Sequence, residues 1–304
     1  TTALAAWLRA RAGARGASLG PLEALAGGAI HASWRFLAEF DHGPYAGRHT
    51  FVLRQAVAPA HGESRPLDQQ AALLRAVRAG GIPAPEPLWL ASREDGFAEP
   101  FLILRYVAGE ADPERLARAA GVGDRGDTWA FAIGRVLAGI HGLRPPQPEL
   151  AFLAPPAADP VASALAAQAG SLARQPERRP ALDYALQGLR ALAPAARAVA
   201  LTHRDFRIGN ILLTEQGVAG VLDWEFAGWS DPQEDYGWFT AKCWRRHGWS
   251  KPAGGIGSLD AFARGYRAGG GEPPTDDHLR FWQGFAHLRW ALIALEQVER
   301  GRRN

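Results

Sequence analysis

Cysteine is nearly missing from this 304-residue chain: Cys243 stands alone, so no internal disulfide can form and no cluster of thiolate metal ligands is possible. Methionine is absent altogether, and asparagine occurs only as Asn210 and the terminal Asn304. No stretch approaches 18 uncharged apolar residues, and the first helix-like segment, from Leu4 to Arg15, already carries Arg9, Arg11 and Arg15. Transmembrane spans and a secretory leader are therefore not expected, and the cytoplasm is the default compartment. A large charge of one sign is also lacking. Lys and Arg number 34 against 31 Asp and Glu, a net charge of +3, which gives no electrostatic footprint for nucleic acid.

What is present is an ordinary globular composition, 47% hydrophobic and 21% charged. Leu22 to Leu25, Ser33 to Phe40 and Thr50 to Arg54 read as short strands in a meander. Leu67, Ala71, Leu74 and Val77 recur at helical spacing before Gly80-Gly81 ends the helix, and strand character returns at Leu88 to Ala91 and Phe101 to Val107. From Gly109 the pattern changes to long helices, with Thr128 to His141 and Tyr184 to Leu192 the clearest. The chain is expected to divide into a strand-rich part, 1–107, and a helical part, 108–304. The segment from Pro145 to Pro180 holds eight prolines and one aromatic, and reads as an irregular surface insertion with room for one helix. Seven of the eleven tryptophans fall between Trp224 and Trp290, many of them on helical stretches at Glu234 to Arg245, Leu259 to Arg267 and Asp276 to Arg300, enough for an aromatic core or a pocket wall.

The chemistry-bearing segment is Thr202-His203-Arg204-Asp205-Phe206-Arg207-Ile208-Gly209-Asn210, set between the apolar runs Val199 to Leu201 and Ile211 to Leu213. A further apolar run, Val218 to Leu222, ends at Asp223-Trp224-Glu225. These residue types suit phosphoryl transfer. Asp205 can hydrogen-bond a substrate hydroxyl and accept its proton, Asn210 offers a neutral amide oxygen to a hard cation, and Asp223 supplies a carboxylate to Mg²⁺. With so few asparagines, H-x-D-x-x-x-x-N is expected by chance only about 0.003 times in this chain. Two other readings fit the same residues: a polar loop whose side chains cap backbone groups, and a metal-dependent hydrolase using His203, Asp205 and Asp223.

This loop, with an aspartate 18 residues beyond Asp205, resembles the aminoglycoside phosphotransferase and choline kinase group. Thr50-Phe-Val-Leu-Arg54, Gly80-Gly-Ile-Pro-Ala-Pro85 and Phe101 to Gly109 extend the resemblance over most of the chain. It implies an α+β, two-lobed protein-kinase-like fold, with a small antiparallel β lobe that binds nucleotide and a larger, mainly helical lobe for catalysis and substrate binding. It implies ATP, or GTP, with Mg²⁺ as cofactors, and transfer of the terminal phosphate to a hydroxyl of a small molecule. Asp205 and His203 become the catalytic pair, Asp205 as base and His203 as brace of the loop, while Asn210 and Asp223 become the magnesium ligands. Phosphates would lie against Gly27, Gly28 and Arg54, and adenine against the backbone of Arg105, Tyr106 and Val107.

Arg54 stands where most kinases carry lysine, and Gln70 stands near the position of its glutamate partner, with Glu63 and Asp68 the acids close by in sequence. That replacement motivates a rival reading, a nucleotide-binding pseudokinase scaffold. Asp231-Pro-Gln-Glu-Asp235 resembles the family's D-P-x-x-D segment, with Asp231 expected to cap a helix and Glu234 and Asp235 to favour its first turn. His141, on an apolar helical face, reads as a satisfied core histidine. Gly27 to Trp34, Leu222 to Glu225 and His287-Leu-Arg-Trp290 resemble a subgroup related to the kinase-like domain fused to some acyl-CoA dehydrogenases. That subgroup implies a hydroxylated acyl or other anionic, apolar acceptor. A polycationic aminoglycoside would want a carboxylate-rich pocket, yet residues 231–304 carry nine acids against eleven Lys and Arg. The partners implied are a nucleotide and a small hydroxyl compound, with neither nucleic acid nor membrane.

Overall fold

The computed structural model describes residues 2–25, 31–56, 64–155 and 159–303. The chain divides into two compact units, one of residues 1–79 and 84–108, the other of residues 80–83 and 109–304.

The first unit is built on an antiparallel sheet. Its elements are α1 (Thr2–Ala12), β1 (Ala17–Leu19), β2 (Glu23–Ala24), β3 (His31–Phe40), β4 (Gly47–Ala56), α2 (Leu67–Ala79), β5 (Pro87–Ala91) and β6 (Phe101–Arg105). Strand order is β1-β3-β4-β6-β5, with β2 also paired to β3. The β3–β4 hairpin is longer than the short strands expected from sequence, running in register from His31 opposite Ala56 to Phe40 opposite Gly47. Residues of one face alternate along it: Phe36, Ala38 and Phe40 on β3 and Phe51 and Leu53 on β4 are buried. Helix α1 covers that face with Leu4, Leu8 and Ala12, a single stripe at four-residue spacing. Two polar contacts dock it: Trp7 Nε1 and Arg11 both donate to Asp95 Oδ1, at 2.9 and 2.8 Å.

The second unit contains α3 (Pro113–Ala119), α4 (Arg125–Gly142), α5 (Pro160–Ala173), α6 (Pro180–Ala191), β7 (Ala200–Thr202), β8 (Ile211–Thr214), β9 (Gly217–Val221), β10 (Gly228–Ser230), α7 (Gln233–Thr240), α8 (Leu259–Ala268) and α9 (Asp276–Arg303). Helix starts follow local chemistry. Asp112, Asp159 and Ser258 cap α3, α5 and α8, and proline opens the first two. Helices α4 and α8 cross where Gly134 faces the Phe262 carbonyl and Gly265 faces the Phe131 carbonyl, positions at which a Cβ would overlap backbone. The Pro145–Pro180 segment departs from its expected surface role. Val161 and Leu165 of α5 are buried in a core with Leu186 and Leu189 of α6 and Phe281, Trp282 and Phe285 of α9. The stretch from Glu234 to Arg245 is not one helix either: α7 ends at Thr240, and Lys242–Trp244 form a separate 3₁₀ turn. No helix among the described residues is long and apolar enough to cross a membrane.

Candidate functional site

Two short antiparallel pairs frame the site in the second unit. β7 pairs with β10 and β8 with β9, so both the His203–Asn210 loop and the Leu222–Ala227 loop leave the ends of paired strands. The first loop contains a residue in the left-handed region, Arg204 at φ 62°, and Asp223 at φ 58° opens the second. For non-glycine residues that backbone costs about 1–3 kcal/mol and persists only where surrounding contacts enforce it.

For Arg204 the enforcing group is Asp235, on the first turn of α7. Its fully buried carboxylate accepts the His203 amide at 2.6 Å, the Arg204 amide at 2.7 Å and His141 Nε2 at 3.2 Å. Burial opposes the charge on Asp235, but the hydrogen bond and charge of His141, together with His203, hold its carboxyl below the ordinary range. His141 is satisfied on its other side by the Tyr266 hydroxyl at 2.7 Å. Asp231 accepts the Gln233 amide at 2.8 Å, at the start of α7. Sequence reading gave Asp235 only a place in a helical first turn; its long-range task was missed, because an acid in that turn is ordinary helix chemistry.

His203 spends its ring on backbone. Nε2 donates to the Leu222 carbonyl at 2.7 Å, and Nδ1 accepts the Asp205 amide at 3.2 Å, which fixes the tautomer. The residue is completely buried, and its ring centroid lies 4.7 Å from that of Trp224 in a tilted contact. Leu222 is pinned twice, since its own amide donates to the Asn210 carbonyl at 2.8 Å. Asp223 is therefore carried on a residue tied to both His203 and Asn210.

Around Asp205 the donors are closely set. Asn210 Nδ2 reaches the Asp205 carbonyl at 2.9 Å and Oδ2 at 2.7 Å, leaving the Asn210 amide oxygen as the atom able to face a cation. Arg207 Nε lies 3.2 and 3.3 Å from the two carboxylate oxygens, and Trp238 Nε1 lies 3.2 Å from Oδ1. Burial pushes the Asp205 carboxyl upward, opposed by Arg207, His203, Asn210 and Arg289. Arg207 and Trp238 were not singled out from sequence. Arg207, two residues after Asp205, could have been found from the loop alone; Trp238 could not.

Among the described residues no three His, Cys, Asp or Glu side chains gather into a metal-binding group. The donor set offered by Asn210 and Asp223, a neutral oxygen and a carboxylate, suits Mg²⁺, which takes few protein ligands and completes its shell with phosphate and water oxygens.

In the first unit, Arg54 sits on β4 opposite Ser33 and Leu102. The His31 ring lies between Arg54 and α2, with Nδ1 3.3 Å from an Arg54 terminal nitrogen and Nε2 3.3 Å from Gln70 Nε2. Gln70 is buried and anchored to the Arg65 carbonyl at 2.7 Å. Arg54 and Gln70 are thus linked through an imidazole, while Asp68 is exposed and Glu63 lies outside the described residues. Arg105 pairs with Glu86 at 2.7 Å, and the Tyr106 amide donates to the Thr50 carbonyl at 3.1 Å, which fixes the strand end leading to Val107. Gly27 and Gly28 lie outside the described residues.

A family model described as "Phosphotransferase enzyme family" matches residues 21–282. The chain belongs to that family. Mouse acyl-CoA dehydrogenase family member 10 is 22% identical over 283 residues; the match covers 84% of this chain but only 26% of that relative, so the chain spans about a quarter of its length. A protein of Ralstonia eutropha JMP134, provisionally assigned as an aminoglycoside phosphotransferase, aligns with TM-score 0.71 at 21% identity, covering 97% of this chain and 87% of that one. A thermostable mutant of aminoglycoside phosphotransferase APH(4)-Ia, in complex with ADP and hygromycin B, aligns with TM-score 0.62 at 18% identity over 98% and 92% of the two chains. The phosphotransferase family member therefore has the kinase-like α+β fold that the Asp205 loop implied.

Proposed function

We propose that this protein is a small-molecule kinase that moves the terminal phosphate of ATP to a hydroxyl group of a metabolite. The observation that carries the reading is the Asp205–Asn210 pair, a carboxylate and an amide locked at 2.7 Å beside the doubly pinned Leu222–Asp223 step. In this reading Asp205 accepts the proton of the attacking hydroxyl. His203 and Asp235 hold the loop so that the carboxylate is placed before the acceptor arrives. Asn210 and Asp223 would hold Mg²⁺, which when bound offsets the charge of the nucleotide phosphates. Arg207, 31% exposed at its side chain and next to Asp205, can meet the transferred phosphoryl group. In the first unit, Arg54, Gly27 and Gly28 would serve the phosphates, and the backbone of Arg105, Tyr106 and Val107 the adenine.

For the acceptor, the surroundings of Asp205 favour an anionic, partly apolar alcohol such as a hydroxyacyl compound. Arg207 lies 5.2 Å over the half-buried Trp244 ring, whose centroid is 4.7 Å from that of Trp290 in a tilted contact. Cations and indole faces suit an anion with an apolar body better than a polycationic aminoglycoside. Arg54 stands where most kinases carry lysine and meets the neutral Gln70 through His31, and this keeps a nucleotide-binding scaffold as the rival. The test is magnesium-dependent ATP consumption across a panel of hydroxyacids, hydroxyacyl thioesters, amino alcohols and aminoglycosides. Acceptor-stimulated ADP release supports the kinase; nucleotide binding with no stimulated turnover supports the scaffold.

A further inference from the structure

The stretch His287-Leu288-Arg289-Trp290 on α9 has no task in phosphate or metal handling, yet Arg289 is 93% buried, exposing only 7% of its surface. Its guanidinium donates to the Arg204 carbonyl at 2.7 Å, lies 3.4 Å from Glu234 and covers the Trp238 ring at 4.8 Å. Trp238, itself 2% exposed, points its indole N–H at Asp205 Oδ1.

We infer that Trp238, held in place by Arg289, is a positioning residue for the carboxylate of Asp205. The inference rests on reading Asp205 as the base. Three side chains donate to that carboxylate, and they are not equivalent. Asn210 holds Oδ2. Arg207 touches both oxygens but is partly exposed and spans to Trp244, so an incoming anion can draw it away. Trp238 is then the donor that keeps Oδ1 from turning about the terminal torsion, which in a carboxylate is broad and easily rotated. Two rigid donors from different elements, one on each oxygen, fix the plane in which the base meets a hydroxyl. Arg289 serves the same end twice, since it clamps the indole face and the strained Arg204 peptide that precedes Asp205.

The test uses the full chain labelled with ¹⁵N-tryptophan. The indole crosspeak missing from Trp238→Phe identifies Trp238, and the crosspeak of Trp129, whose N–H donates to the Thr214 carbonyl, serves as the control. Asp205→Ala should move the Trp238 crosspeak upfield and leave that of Trp129 in place. An unmoved Trp238 crosspeak overturns the inference, whether or not an acceptor is known. In turnover of magnesium ATP with the acceptor the panel identifies, Trp238→Phe should lower kcat about tenfold, the size of one hydrogen bond to a charged group. Its nucleotide KM should stay within about twofold of the parent, because the indole reaches the base and not the nucleotide. Wild-type kcat in Trp238→Phe also overturns the inference. Full turnover in Asp205→Asn would instead remove the reading on which it rests.

Discussion

Replacing Asp235 by alanine tests how a single carboxylate holds the loop. The substitution strands the His203 amide, the Arg204 amide and His141 Nε2 in a site with no solvent exposure. Each buried donor left without a partner costs about 1–3 kcal/mol. Release of Arg204 from φ 62° returns part of that, about 1–3 kcal/mol. The net loss is about 4 kcal/mol at the middle of these ranges, and at roughly 2–4 °C per kcal/mol it lowers the melting temperature by about 8–16 °C. Turnover should fall further than stability suggests, by about 10²-fold, because the relaxed Arg204 peptide carries Asp205 away from its aligned position. Asp235→Asn keeps the shape but sets an NH₂ group against one of the two backbone amides, so it should lie between alanine and the parent in both measurements. Thermal melting and single-turnover kinetics at saturating nucleotide supply the readouts. A melting temperature within 2 °C of the parent together with unchanged turnover in Asp235→Ala would refute the reasoning.

Asp223→Ala should remove most of the benefit of magnesium to nucleotide affinity, read by titrating ATP with and without Mg²⁺; unchanged magnesium dependence would take Asp223 out of the metal set. Arg54→Ala should weaken nucleotide binding and turnover by about tenfold or more, the scale of a hydrogen bond between charged groups, and equal affinity would show that Arg54 does not serve phosphate. Asp95 supplies a pH-dependent case: the Ser92 amide, Trp7 and Arg11 lower its carboxyl from 3.8 to about 2. Because the folded value is the lower one, the stabilisation is present above 3.8 and fades as pH falls toward 2. The gap in melting temperature between the parent and Asp95→Asn should therefore close between pH 5 and pH 2, and a gap that stays constant would contradict the assignment.

The core of the site was legible because it is local. His203, Asp205 and Asn210 lie on one loop, and the structure keeps the three in contact with one another. The strand-rich and helical patterns were equally visible, since period-2 and period-3.6 burial are written into β3, β4, α1 and α2. What remained hidden depends on tertiary approach. Asp235 looks like any acid in a helical first turn, and its grip on the His203 and Arg204 amides exists only once α7 packs behind the loop. Trp238 reads as part of a tryptophan-rich core and Arg289 only as part of the His287 to Trp290 resemblance, and their contact with Asp205 and Arg204 comes from the packing of α7 on α9. The His31 link between Arg54 and Gln70 joins a strand, its neighbour and a helix, so no sequence spacing announces it. The place of α5 was missed for a compositional reason: many prolines and a single aromatic suggested a surface insertion, whereas Val161 and Leu165 are buried in a core with α6 and α9.

The central claim, that Asp205 is the base of an ATP-dependent phosphotransfer to an alcohol, is tested most directly by comparing the parent with Asp205→Asn for acceptor-stimulated ADP release and for nucleotide affinity. The variant keeps the size of the side chain and loses the proton-accepting charge, so stimulated turnover should fall roughly 10²–10⁴-fold while the nucleotide Kd stays within about threefold, under 1 kcal/mol. Full stimulated turnover in Asp205→Asn, or a loss of magnesium-nucleotide affinity equal to that of Asp223→Ala, would contradict it.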